Sequence, residues 1–92
     1  MTTTIEAHQL RVADDAVADL RNREARLRRD RAEVLRQYDV ALEDRDERTM
    51  LELAKLRVEL EASLAECPGM IEKAERRLAA AVFTYKQREE TR

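Results

Sequence analysis

Tryptophan is absent from this chain of 92 residues, and proline, glycine, cysteine and histidine occur once each. A phosphate loop or a dinucleotide fingerprint needs several glycines at set spacing, and a zinc cluster needs several cysteines or histidines, so these chemistries are excluded. Cys67 has no second thiol with which to close an internal disulfide. Aromatic residues make up 3% of the chain, which leaves few surfaces on which bases could stack. Long apolar runs are missing too. No stretch reaches the ~20 residues that span a bilayer, and the opening MTTTIEAHQL lacks the apolar run of a signal peptide. A cytoplasmic protein without a membrane partner is expected. Neither sign of charge dominates: 18 basic residues stand against 20 acidic ones, a net charge of −2. No global field therefore draws the chain to nucleic acid.

What the chain has is charge and helix formers. Charged residues account for 41% of it, a composition typical of long helices and coiled coils. The predicted class is all-α, a single helical domain over residues 1–92. Leu10, Ala13, Val17, Leu20, Glu24, Leu27, Arg31, Val34, Tyr38 and Ala41 recur at alternating spacings of three and four, the period that holds one helical stripe against a partner. Thr3 with Glu6 suits a capping box at the start of this helix, expected over residues 4–43. Between Leu42 and Met50 the apolar residues stop, and EDRDERT reads as a turn, with Asp44 and Asp46 suited to turn or cap positions and Thr49 with Glu52 as a second capping box.

The stripe then resumes through Met50, Leu53, Arg57, Leu60, Leu64, Cys67, Ile71, Ala74, Leu78, Ala81 and Tyr85. Its phase is the same before and after Pro68, as a kinked but continuing arm requires and a chain reversal does not. Proline inside a helix costs about 3 kcal/mol, so a break is expected at Pro68 and Gly69, separating helices over residues 49–66 and 69–90. Two architectures fit: an antiparallel hairpin whose second arm is broken at that point, or an elongated three-helix bundle resembling a spectrin repeat. In the hairpin, the pairing sets Tyr38 near Leu53, Leu27 near Leu64 and Leu20 near Ile71.

Several residues fall outside the stripes. Leu51, Ala54, Val58, Ala62 and Ala65 give the second arm another apolar face, which needs its own neighbour: a third helix, a second copy or a client. Monomer and homodimer both remain open. Six arginines lie between Arg21 and Arg31, so Arg21, Arg26, Arg28 and Arg29 are candidates for contact with an acidic partner, against the simpler account of a solvated face with intrahelical pairs. They spread round the helix with no interleaved aromatics, which argues against nucleic acid. Phe83 lies well off the stripe and is a candidate anchor for a partner. Carboxylate pairs at helical spacing are expected in so charged a chain and do not by themselves indicate catalysis. No enzyme activity is expected.

Two blocks, HQLRVADDAVADLRNRE and MIEKAERRLAAAVFTY, resemble the corresponding segments of the tubulin-binding cofactor A family, the tubulin-specific chaperones A. The likeness covers most of the chain but is specific mainly in these blocks. The family's usual proline directly after an isoleucine is Glu72 in this chain, and the proline stands four residues earlier at Pro68. The resemblance implies an all-α, three-helix protein of the cytoplasm and cytoskeleton. It also implies binding of β-tubulin released from the chaperonin, holding it for assembly with α-tubulin, alongside other tubulin cofactors and without nucleotide or metal. On this reading the arginines would face the acidic surface of β-tubulin. The alternative from the residues alone is a generic coiled-coil scaffold or oligomerisation module.

Overall fold

A computed structural model describes residues 2–91, with side chains from residue 5 to residue 91. Two helices account for nearly all of it: α1 over Thr2–Glu43 and α2 over Glu47–Glu90. The described residues contain no strand and no third helix. The chain divides into two compact units, one of Met1–Asn22 with Pro68–Arg92 and the other of Arg23–Cys67, and each helix contributes to both.

The unit of Arg23–Cys67 contains the turn. Asp46 N–H donates to the Ala41 carbonyl at 2.9 Å and Arg45 N–H donates to the Leu42 carbonyl at 3.2 Å. These are the two bonds of a Schellman motif, which satisfy carbonyls left open at the helix end. The motif demands a left-handed residue just beyond the helix, and Arg45 takes that position with φ 55°. Asp46 then starts α2. Its carboxylate accepts from the Thr49 backbone N–H at 3.2 Å and from the Thr49 hydroxyl at 2.6 Å, while its carbonyl accepts from Met50 N–H at 3.0 Å. One residue thus closes the first helix and caps the second. The expected cap at Thr49 is corrected to Asp46, because the helix starts two residues before Thr49 and turns the threonine into a donor to the cap.

Packing in this unit follows the stripe. Val34 and Ala41 of α1 and Leu53 of α2 are buried together, with Tyr38, Met50 and Leu60 packed against them. The predicted proximity of Tyr38 and Leu53 is therefore observed. Of the three charged interruptions of the stripe, Glu24 is half-buried, and Arg31 and Arg57 remain exposed. Their long stems allow the charge to reach water from the edge of the seam.

In the other unit Val17 of α1 and Ala74 of α2 are buried, and Leu10, Ala13, Ile71 and Leu78 are half-buried. Two ion pairs tie the helices together there: Arg21 to Glu75 at 2.9 Å and Arg88 to Glu6 at 3.0 Å. Glu6 is buried, and its Oε2 has no hydrogen-bond partner among the described residues. The expected capping box of Thr3 and Glu6 depends on a side chain outside the described residues. Thr3 lies within α1, and the Glu6 carboxylate is engaged across to α2.

The expected break at Pro68 and Gly69 is absent, and the separate helices over 49–66 and 69–90 are one helix. Proline deprives the Leu64 carbonyl of a backbone N–H donor, but the flanking turns remain hydrogen-bonded and packed: Cys67 is 2% exposed and Ala74 is buried in turn. Pro68 itself is exposed. Gly69 has no left-handed φ, and a Cβ built on it meets nothing within 4 Å. Neither residue terminates the helix, because stripe positions on both sides are anchored by tertiary packing that outweighs the local preference.

Candidate functional site

The seven candidate partner-binding residues are distributed between the two units. Arg26, Arg28, Arg29, Leu51 and Val58 belong to the unit of the turn, and Arg21 and Phe83 to the other. All seven are exposed. Arg21 is engaged with Glu75, and Arg28 pairs with Glu24 at 3.3 Å one turn away. Arg26 and Arg29 make no ion pair among the described residues, as expected of side chains that point away from the seam. Arg23 and Arg31 of the same run are likewise exposed and without an ion pair among the described residues.

The second apolar face of α2 is uncovered. Leu51 is 59% exposed and Val58 67% exposed, Ala62 and Ala65 beyond them are exposed, and Ala54 between them is half-buried. Beside this face runs a groove of about 310 Å³. Val34 and Leu53 form its floor, Leu35 and Tyr38 its α1 wall, and Ala54 and Val58 its α2 wall. At one side the Arg57 guanidinium donates to Glu61 at 3.0 Å. Such a surface suits an apolar helix laid along it, with side chains entering the groove at i, i+3 and i+7. Leu42 and Val40 are further exposed apolar residues on α1 that the sequence reading did not single out. Leu42 was legible as the seventh residue after Leu35, which places both on one side of the helix.

The unit of the chain ends holds a second groove, of about 520 Å³. Ala13, Leu20 and Ala74 provide apolar floor, Val12 and Met70 stand exposed along it, and Lys73 and Arg77 edge it on the α2 side. Sequence reading missed this groove. Val12 and Ala16 were its signal, an apolar pair at i, i+4 lying just outside the stripe. Phe83, 63% exposed, does not line the groove.

Glu33, Arg36 and Asp46, all in the unit of the turn, titrate away from their ordinary values for local reasons. Hydrogen bonds from Arg36 and then Gln37 hold the Glu33 carboxyl below its ordinary range, and Glu33 in return holds the Arg36 guanidinium more firmly protonated. The Thr49 hydroxyl, then the Thr49 backbone N–H, lower the Asp46 carboxyl. These are helix-surface and cap interactions, and Arg36, Gln37, Asp46 and Thr49 line an open pocket of about 330 Å³ beside the turn. Among the described residues no three His, Cys, Asp or Glu side chains converge as metal ligands, and no helix is long and apolar enough to cross a membrane.

No family model, no curated protein and no solved structure matches this chain. The class that the structure defines is a two-helix, all-α protein with open apolar grooves in its units.

Proposed function

We propose that this chain works by binding another protein through the uncovered face of α2, and not by catalysis. The observation that carries this reading is the exposure of Leu51 and Val58 beside an open apolar groove, with no third helix among the described residues to cover them. Contiguous exposed apolar surface on a small helical protein is costly to keep in water and marks a place where a partner docks. The finer reading names the partner: β-tubulin released from the chaperonin and held for assembly with α-tubulin, in the cytoplasm. It rests on the likeness of HQLRVADDAVADLRNRE and MIEKAERRLAAAVFTY to tubulin-binding cofactor A.

A pull-down with purified β-tubulin tests both levels. The parent is expected to retain tubulin and Val58→Glu to lose most of it, with helix content unchanged by circular dichroism because Val58 is exposed. Failure of the parent to bind removes the tubulin reading. The uncovered face then supports the second reading, a coiled-coil scaffold whose stripe pairs with helices.

A further inference from the structure

The groove between the start of α1 and the end of α2 has two unlike edges. On the α2 edge stand Lys73 and Arg77, one turn apart, exposed and without an ion pair among the described residues. Nearby acidic groups on α2 are already engaged: Glu75 with Arg21, and Glu72 with Arg76. On the α1 edge His8 lines the groove, and Asp15 and Asp19 follow His8 and Val12 at seven-residue spacing, so they continue that edge. Between the edges the floor is apolar, and Val12 is 54% exposed. The groove therefore selects an apolar helix face with carboxylates along one flank.

The chain carries such a face itself. The stripe of Leu51, Val58, Ala62 and Ala65 is exposed, and Glu52, Glu59 and Glu66 follow one another at seven-residue spacing along one flank, which carries a single cation, Lys55, between Glu52 and Glu59. Glu59 and Glu66 make no ion pair among the described residues, whereas Glu52 is only loosely held by Arg48 at 3.6 Å. The other flank holds the Arg57 and Glu61 pair, neutral as a unit, and would meet the Asp15 and Asp19 edge without net repulsion.

We propose that the groove of one copy takes the Leu51 to Glu66 face of a second copy, with Glu59 and Glu66 against Lys73 and Arg77. The proposal stands on the groove and the stripe alone and needs no client. Apolar contact supplies the attraction, and the charged edges choose which face docks and in which direction. The two charge rows are exposed until docking, so the association weakens as salt screens them.

Sedimentation velocity on the full chain, without tubulin, tests this over a concentration series. The parent is expected to associate as concentration rises. One variant reverses the groove edge, Lys73→Glu with Arg77→Glu, and another reverses the stripe flank, Glu59→Lys with Glu66→Lys. Each alone is expected to associate at least roughly tenfold more weakly than the parent, because like charges then face each other. An equimolar mixture of the two restores complementary edges and is expected to recover association. All four positions are exposed, and circular dichroism checks that each variant stays helical. Val12→Glu and Val58→Glu test the groove and the stripe independently of the edge charges, and each is expected to abolish association. A parent that is monomeric at every concentration overturns the proposal. So does association indifferent to the reversals, or a mixture that fails to recover. Because tubulin is absent from the measurement, its outcome is separate from that of the pull-down.

Discussion

Arg45 and Asp46 show how much two side chains decide at the turn. A left-handed backbone costs an L-residue about 1–2 kcal/mol that glycine does not incur, and Arg45 holds that conformation at φ 55° with its side chain in solvent. Arg45→Gly is expected to raise stability by about 1 kcal/mol, measured as the urea midpoint. Asp46 acts in the opposite direction. Its folded carboxyl titrates below the unfolded value because the ionised form accepts both Thr49 bonds, so its contribution is present above the unfolded pKa and disappears as pH falls through the lower folded one. Asp46→Ala is therefore expected to melt earlier than the parent at neutral pH, with the gap closing in acid as the parent's aspartate protonates. A gap that persists undiminished in acid would assign the cap to something other than the ionised carboxylate. Glu6 is the third residue of consequence: Arg88→Ala leaves its buried carboxylate unpaired, at an expected cost of about 1–3 kcal/mol in chemical denaturation.

Helix α2 is where element-level expectations met a competing force. Proline and glycine side by side are strong local breakers, yet the helix runs through both. The phase of the stripe was the better signal, since Leu64, Cys67, Ile71 and Ala74 lie at helical spacing across the proline and all are buried or half-buried. Intrinsic propensity acts on one residue, while stripe packing sums over many turns. Gly69 serves no conformational purpose in this helix, so Gly69→Ala is expected to stabilise the protein by about 0.8–1 kcal/mol, there being open space for the new methyl group. Pro68→Ala is expected to raise the Tm further by restoring the bond to the Leu64 carbonyl, with helix content by circular dichroism almost unchanged. A large rise in helix content on either substitution would mean that α2 is broken in solution.

For the molecule as a whole, near-neutral charge places the burden of recognition on local surfaces. If the Arg26 and Arg29 side chains meet an acidic partner, Arg26→Glu with Arg29→Glu is expected to lower β-tubulin capture and flatten its salt dependence, because exposed charges are screened over about 8 Å at physiological ionic strength. If Phe83 anchors the same partner, Phe83→Ala is expected to lower capture with the salt dependence retained, since that contact would be apolar. Capture equal to the parent's in both variants would exclude these residues as the contact.

Much of the molecule was legible without coordinates. The all-α class, the turn between Glu43 and Glu47 and the buried or half-buried side of each helix follow from a three-and-four period in residues such as Val17, Val34, Leu53 and Cys67. A stripe records the repeated choice between water and a neighbouring helix, and every turn repeats the information. Tertiary structure alone decided that Pro68 stays inside a helix, which of the cap candidates Asp46 and Thr49 is used, and that Glu6 turns to Arg88. It alone showed the groove edged by Lys73 and Arg77. Each of these depends on residues far apart in sequence or on a single backbone angle, and a period read along one helix carries no record of what stands across from it.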